Sequence, residues 1–294
     1  MDLTPNEDQL ALQGATADWC SDNMPLEQCR ARPAGTWRQM GEMGWLDMTG
    51  PAMGLDHGTE ALIFAELGRF LAPVAALSTA VYRRWTGTEG KAALAIASLQ
   101  AVRVADPDGA SVALGVADGR ALLYGLPDAL DAAPGLDLSS PLALLPGAAA
   151  PQPVQDGRAA AHLRLLAAAY AVGCADAARD MGAAYACTRE QFDRPIGWFQ
   201  SIKHICADMA VRASVARSQL YYAASALDAD DASADMHIAA AKRLADQAAL
   251  ENSRANIQIH GGIGMTDEAY PHLCLKRAHL LGFVAKAGRE ALLQ

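Results

Sequence analysis

Short strand-like runs in the middle of the chain separate two long stretches of helical pattern. Between residues 93 and 156, apolar runs alternate with turn signals such as Asp-Pro-Asp-Gly at 106–109, which is typical of strands joined by hairpins. On both sides of this block, apolar residues recur at the three- to four-residue spacing of amphipathic helices. We predict a mainly α-helical fold with an N-terminal helical domain (1–92), a reduced β middle domain and linker (93–156) and a C-terminal four-helix bundle (157–294).

Two polar residues suggest where helices begin. Thr59 precedes an apolar-periodic run that continues to Phe70, and Ser201 precedes one that continues to Leu227. Because serine and threonine hydroxyls accept hydrogen bonds from the first free backbone N–H groups of a helix, both residues are predicted to be N-caps.

Bulk charge and hydropathy exclude two classes of partner. The net charge of −9 argues against nucleic acid, because a phosphate backbone needs a broad basic face. The apolar stretches are interrupted by charges before they could span a bilayer. Since the chain begins Met-Asp-Leu-Thr-Pro without a hydrophobic signal segment, we expect a cytoplasmic protein.

The cysteines and histidines are dispersed along the sequence. None of the six cysteines forms a C-x-x-C pair, so we predict no disulfide framework and a reducing compartment. None of the seven histidines forms a spaced pair with a cysteine or carboxylate motif, so we predict no metal site.

Two segments of the C-terminal part suit a ligand that carries phosphate. Residues 189–200 read Arg-Glu-Gln-Phe-Asp-Arg-Pro-Ile-Gly-Trp-Phe-Gln, and residues 258–264 read Gln-Ile-His-Gly-Gly-Ile-Gly. A guanidinium matches phosphate oxygens, and glycines let backbone N–H groups approach a ligand closely. A helix junction with a structural arginine is the alternative explanation of the first segment.

Together, the two segments resemble the flavin-binding segments of the acyl-CoA dehydrogenase family. The N-terminal pattern Trp-x-x-Met-Gly-x-Met-Gly-Trp at 37–45, followed by Glu-Leu-Gly-Arg-x-Leu-Ala-Pro at 66–73, resembles the helical domain that begins members of this family. The resemblance implies an acyl-CoA dehydrogenase-like fold and FAD as cofactor. On spacing alone, the Met and Trp residues of this pattern are better explained as core than as ligand contacts.

The resemblance also assigns roles to individual residues. Arg189 would pair with the pyrophosphate of the flavin dinucleotide, Gln191 and Phe192 would flank it, and Gln200 would bond the adenosine part. In the second segment, Gln258 would bond the adenosine diphosphate of a flavin that belongs to a neighbouring subunit. Gly261 and Gly262 would permit the backbone conformation and the close approach.

The chain departs from the family pattern in two respects. Asp193 occupies a position where the family usually has glycine, and it places a carboxylate beside the expected phosphate site. The family's Thr-Glu-Pro-x-x-Gly-Ser-Asp segment, which lines the flavin ring, is missing from the compressed middle part.

A catalytic base cannot be assigned from the sequence. The family uses a glutamate to remove the proton α to the thioester, and the family places it in one of two sequence positions. Counting from the motifs, these positions fall near Lys286 and near Leu163, where no carboxylate stands. Asp267 and Glu268 are better explained as charges at a helix N-terminus, and His260 and His272 as structural or exposed residues.

Two functions follow from this pattern. In the first, the chain is a subunit of an FAD-dependent acyl-CoA dehydrogenase that lacks the base. It would assemble with a second dehydrogenase-like subunit, as in heterotetramers that act on steroid or bile-acid side chains, or as a homo-oligomer, and would act on an acyl-CoA thioester. In the second, it is a flavin-free scaffold or regulatory member of the fold.

Overall fold

The computed structural model describes residues 4–97, 101–145 and 150–286. Four helices precede the sheet, and these are α1 (Glu7–Asn23), α2 (Thr36–Glu42), α3 (His57–Arg69) and α4 (Ala75–Thr86). Four helices follow it, and these are α5 (Arg158–Thr188), α6 (Gln200–Asp228), α7 (Ala234–His260) and α8 (Pro271–Leu281). The mainly helical fold with a small sheet between two helical parts is therefore confirmed; the limits of the three domains stay predictions.

Both predicted N-caps are wrong. The cap of α3 is Asp56, whose carboxylate accepts a hydrogen bond from the backbone N of Thr59 at 2.6 Å. Ser201 lies inside α6, which begins at Gln200 after Phe199 without a side-chain cap. Asp56 rather than Thr59 is the cap because Asp56 has the extended backbone of an N-cap, with φ of −75° and ψ of 161°, whereas Thr59 already lies within the helix.

The sheet has seven strands in the order β5-β6-β2-β1-β3-β4-β7. The strands are β1 (Ala92–Ala97), β2 (Val102–Ala105), β3 (Val112–Ala117), β4 (Arg120–Gly125), β5 (Asp131–Ala133), β6 (Leu142–Leu145) and β7 (Gln152–Pro153). Only β1 and β3 pair in parallel among the described strands. One face of the sheet, with Leu94 and Leu114, joins the core that the helices share.

Helices α3 and α5 pack with their backbones in direct contact. A Cβ atom on Gly173 would lie 1.8 Å from the carbonyl O of Ala65, and one on Gly68 would lie 2.2 Å from that of Tyr170. No real side chain fits at those distances, so only glycine allows this approach. The contact places the backbone of α5 directly against that of α3.

A fully buried arginine joins α8 to three other parts of the chain. The Nε atom of Arg277 donates to Asp137 at 2.6 Å, and its Nη atoms donate to the carbonyl O of Ala72 at 2.8 Å, to Ser139 Oγ at 2.9 Å and to the hydroxyl of Tyr170. Both members of the ion pair are at most 1% exposed. Although burial opposes ionisation, the Arg277 charge lowers the pKa of Asp137, while Asp137 raises that of Arg277.

No helix in the described part of the chain combines the length and the apolar character that crossing a membrane requires.

Replacing Arg277 by methionine is expected to destabilise the fold by about 3–5 kcal/mol, because it leaves the buried charge of Asp137 without a partner. Urea denaturation followed by circular dichroism measures the change. Arg254→Met is the matched control, since Arg254 forms an exposed pair with Glu251 and should cost at most about 1 kcal/mol. Equal losses in the two variants would contradict this role for Arg277.

Candidate functional site

The first candidate segment forms a tight hairpin at the end of α5. Strands β8 (Glu190–Gln191) and β9 (Arg194–Pro195) pair antiparallel, and Phe192 and Asp193 form the two-residue turn between them. Both turn residues are left-handed, with φ of 56° and 62°. Such turns favour glycine or asparagine, which explains why the family pattern has a glycine where this chain has Asp193. Aspartate tolerates the left-handed conformation better than phenylalanine does.

The predicted phosphate-binding arginine is free to meet a ligand. Arg189 is exposed at the C-terminal end of α5. Within the described residues, its side chain has no hydrogen bond or ion pair. Its backbone is held, because the carbonyl O of Arg189 accepts from the N of Ile196 at 2.8 Å. The guanidinium is therefore exposed on a fixed backbone and has no partner among the described residues.

The other predicted residues of this segment differ in their surroundings. The amide of Gln191 donates to the carbonyl O of Glu190 at 2.8 Å, and that of Gln200 pairs with the ring of His204 at 2.8 Å. Phe192 is 82% exposed and meets the edge of Phe199. Phe192 therefore presents an exposed aromatic ring from a left-handed backbone position, and its predicted role beside a flavin stays a prediction.

The second candidate segment begins where α7 ends. Gly261 has φ of +66°, which explains why a glycine ends this helix, whereas Gly262 does not need positive φ. A Cβ atom on Gly262 would meet nothing within 4 Å. No neighbouring protein atom therefore requires glycine here, and the predicted close approach of a ligand to Gly262 stays a prediction. Gln258 is exposed beside it.

The two segments lie at the same end of the helical bundle. The ring of Tyr185, on the last turns of α5, stacks on His260 with centroids 4.0 Å apart. Ile196, from the first segment, and Ile259, from the second, belong to one small hydrophobic core. His260 also hydrogen-bonds the carbonyl O of Asn256 at 2.9 Å, so its contacts are structural. Whether both segments meet one dinucleotide stays a prediction.

The two positions considered for a catalytic base come together in space. The Nε atom of Arg164, next to Leu163, donates to the carbonyl O of Ala285, next to Lys286, at 3.1 Å. Leu163 is fully buried and Lys286 is exposed. The residues beside Leu163 and Ala285 are therefore an arginine and a lysine, whereas the family has its catalytic glutamate at one of these two positions.

Asp267 does not serve as a charge at the N-terminus of α8. Its carboxylate accepts from Arg30 at 2.6 Å, and the helix begins only at Pro271. The pair joins the C-terminal part of the chain to the connection between α1 and α2. Glu268 is exposed, and His272 is buried, with its pKa lowered by that burial.

A cavity of about 380 Å³ opens between the sheet and α8. We name it the β1–α8 cavity. Its apolar lining includes Ile96, Leu136, Leu142, Leu280 and Phe283, and its basic lining includes Arg103, Lys276 and His279. An apolar floor with cationic groups suits a ligand with an acyl chain and phosphates.

The fold also gathers a buried polar cluster that the sequence did not reveal. His57, Glu60 and His162 place three metal-ligating atoms within 4.8 Å of one another, although the dispersal of the histidines led us to predict no metal site. Trp85 Nε1 donates to His162 Nδ1 at 3.0 Å, and His162 Nε2 lies 2.6 Å from Glu60. Because an indole N–H only donates, Nε2 carries the imidazole proton and donates it to Glu60. This donor set fits a hydrogen-bonded chain better than a metal ligand set.

Comparisons with known proteins agree with the motifs. Residues 156–284 match the family model described as acyl-CoA dehydrogenase, C-terminal domain. Acyl-CoA dehydrogenase FadE34 of Mycobacterium tuberculosis is 44% identical over 124 residues, which are 42% of this chain and 17% of that protein. Acyl-CoA dehydrogenase IpdE2 of Mycolicibacterium smegmatis is 35% identical over 147 residues, 50% of this chain and 45% of that protein. The matched part thus spans less than half of either relative.

Solved structures extend the likeness to the whole fold. A chain of the ChsE4-ChsE5 complex from Mycobacterium tuberculosis matches with a TM-score of 0.74 and 21% identity, over 96% of this chain and 94% of that chain. At this identity the match shows the fold. The acyl-CoA dehydrogenase-like architecture predicted from the sequence is confirmed.

Stability is expected to fall on acidification through His57. Burial is the first cause that lowers the pKa of His57 to about 4, with the neighbouring His162 as the second. The unfolded chain takes up this proton below pH 6.5 while the folded chain resists it to about pH 4, so stability is complete above 6.5 and decreases below it. Between pH 7 and 5 the loss from His57 alone is about 2 kcal/mol. The other charged groups that act on His57 are Asp56, Glu60, Arg84 and Asp228.

Urea denaturation at the two pH values, on the wild type and on His57→Gln, measures this effect. The variant should lose about 2 kcal/mol less than the wild type between pH 7 and 5. Parallel pH profiles would rule out His57 as the source.

Proposed function

From the match of residues 156–284 to the family model described as acyl-CoA dehydrogenase, C-terminal domain, we propose that this chain is a subunit of an FAD-dependent acyl-CoA dehydrogenase. The reaction is the α,β-dehydrogenation of an acyl-CoA thioester, and this subunit lacks the catalytic base. The observation that carries the proposal is an exposed, unpaired Arg189 at the same bundle end as the open turn of Gly261 and Gly262.

The residues at this end of the bundle fit the phosphate side of a flavin dinucleotide. Arg189 supplies an unpaired guanidinium, Gln258 an exposed amide, and Gly262 a backbone that a ligand can approach. Bound FAD would supply the hydride acceptor that the reaction requires. This chain's own contribution is to hold the pyrophosphate and adenosine parts, including those of a flavin that belongs to a neighbouring subunit.

The proton at the α-carbon needs a base that this chain does not offer at the two family positions. Leu163 is in the core, and neither Arg164 nor Lys286 beside it carries a carboxylate. General-base catalysis contributes about 10²–10⁴-fold in rate, so a subunit without a base would be slow on its own. The base therefore comes from the second subunit in this proposal.

The β1–α8 cavity supports an acyl-CoA ligand. Its apolar lining suits an acyl chain, and Lys276 and Arg103 at its wall suit the phosphates of CoA. Assembly with an unlike subunit is supported by the fold likeness to a chain of the ChsE4-ChsE5 complex. A homo-oligomer is the simpler form of the same proposal.

A flavin-free scaffold is the second candidate. It is favoured by Asp193, which places a carboxylate at the tip of the hairpin that follows Arg189. A negative charge there opposes the binding of a pyrophosphate.

Arg189→Met is expected to weaken flavin retention in the assembled complex at least about tenfold, because a charge-assisted phosphate contact contributes about 1.5–3 kcal/mol. Flavin absorbance per complex after gel filtration, and the Kd from fluorescence titration, measure it. Arg194→Met is the control. Arg194 lies on the same hairpin, with its guanidinium 5.5 Å from the Trp198 ring centroid, and its replacement should change flavin retention by less than about twofold. Loss of flavin in both variants alike would count against the specific role of Arg189.

Co-expression with the dehydrogenase-like subunit encoded nearest to this chain should give a yellow complex that oxidises acyl-CoA. The chain expressed alone should be inactive, because it lacks a base. Absorption spectra and an acceptor-dye assay on both preparations measure this. A yellow and active single chain would refute the two-subunit proposal, and a stable complex without flavin would favour the scaffold.

A further inference from the structure

A second cleft lies far along the chain from the flavin motifs. It is formed by residues 29–37, which run from the connection between α1 and α2 into the start of α2, by Lys91 before β1 and by the turn after β2, and it encloses about 270 Å³. We name it the α1–α2 cleft. Three cations line it, Arg30, Arg32 and Lys91.

Arg32 holds a charge that no carboxylate neutralises directly. Its Nη2 atom donates to the carbonyl oxygens of Phe70 and Leu71, at 2.8 and 3.0 Å, beyond the C-terminal end of α3. Its Nη1 atom is buried without a hydrogen-bond partner, and Arg32 forms no ion pair with the described residues. The carbonyl dipoles offset part of the charge. A guanidinium stays protonated in proteins, so the remaining charge has to be met by something else.

The other two cations are held only by weak or neutral partners. Lys91 lies over the ring of Trp37, 4.7 Å from its centroid, and donates to the backbone carbonyl O of Asp108 at 2.8 Å. Arg30 pairs with Asp267, whose side chain is 76% exposed, and such surface pairs are weak. Both side chains can therefore bind an incoming anion, either in place of these partners or in addition to them.

The two acidic residues that line the cleft act on the charge of Lys91 through space, but within the described residues they form no ion pair with the three cations. Asp106 is buried, and its two oxygens accept from Ser140 Oγ at 3.0 Å and from the backbone N of Ala75 at 3.1 Å. Asp108 is exposed and contributes its carbonyl oxygen rather than its carboxylate. Three cations thus line a cleft in which one carboxylate accepts hydrogen bonds from Ser140 and Ala75 and the other belongs to an exposed residue.

We propose that the α1–α2 cleft binds an oxyanion of the phosphate class, either inorganic phosphate or the phosphate group of a small metabolite. Guanidinium groups match phosphate oxygens in geometry, and a lysine adds a point charge. The volume exceeds that of a single water, about 30 Å³, several-fold, so a phosphate fits together with a small attached group. The site is independent of the flavin proposal, since it uses none of the same residues.

Isothermal titration calorimetry on the purified full chain tests this at constant ionic strength. The probes are inorganic phosphate, phenyl phosphate as a monoester, and acetate as a carboxylate of lower charge. We expect saturable binding of at least one phosphate probe, and binding of acetate at least about tenfold weaker. The stronger of the two phosphate probes tells whether the site takes free phosphate or a monoester.

Variants localise the binding. Arg30→Met and Lys91→Met should each weaken phosphate binding about tenfold or more, because each removes a charge-assisted contact. Arg38→Met is the matched control: Arg38 is exposed on α2, pairs with Glu42 and does not line the cleft, so binding should change less than about twofold. Arg32→Gln tests the third cation, and circular dichroism checks that this variant folds. If it does not fold, the two rim variants, Arg30→Met and Lys91→Met, still test whether the cleft binds phosphate.

The proposal is overturned by any of three results. The first is no saturable heat with either phosphate probe. The second is acetate binding as tight as phosphate binding, which would place the ligand outside the phosphate class. The third is an equal loss in the Arg38 control and in both rim variants, which would mean general attraction to surface charge.

Discussion

The buried pair of Arg277 and Asp137 is the interaction on which the rest of the arrangement depends. Through it, α8 is fastened to the loop before β6, to Tyr170 of α5 and to the backbone beyond α3. A buried ion pair is not by itself strong support for stability, because both charges lose their water. Here every group around the guanidinium accepts a hydrogen bond from it, so the pair fixes geometry. The wall of the β1–α8 cavity and the glycine turn before α8 are positioned as a result.

One buried group of polar residues and the residues of the hairpin lie in contrasting surroundings. Inside, Trp85, His162 and Glu60 form a chain in which each donor has an acceptor. At the hairpin, Arg189 and Phe192 are exposed on a turn whose two central residues are left-handed. Stability does not explain such exposure, since an aromatic ring in this conformation is unfavourable. The exposed side chains of the hairpin are available for the cofactor contact that we propose.

The sequence was sufficient for the fold class and for the two short segments, because both depend on local pattern. Hydrophobic periodicity distinguishes helices from strands. The arginine segment and the glycine segment can each be recognised from the sequence alone. The caps were misassigned because Asp56 and Thr59 are both good cap residues and only backbone geometry decides between them. The pairing of Arg30 with Asp267 and the meeting of His57 with His162 join residues more than a hundred positions apart. No periodic signal records such contacts, since they follow from how the helices pack.

The glycine contact between α3 and α5 has a mechanical consequence. Two helices whose backbones touch at Gly68 and Gly173 cannot slide or roll without a steric clash, and dense interiors transmit displacement rather than absorb it. The two helices therefore behave as one rigid unit, and the hairpin follows the C-terminal end of α5. The connections after Thr188 and after His260 take no part in this glycine contact, so they can change conformation on assembly while α3 and α5 keep their packing.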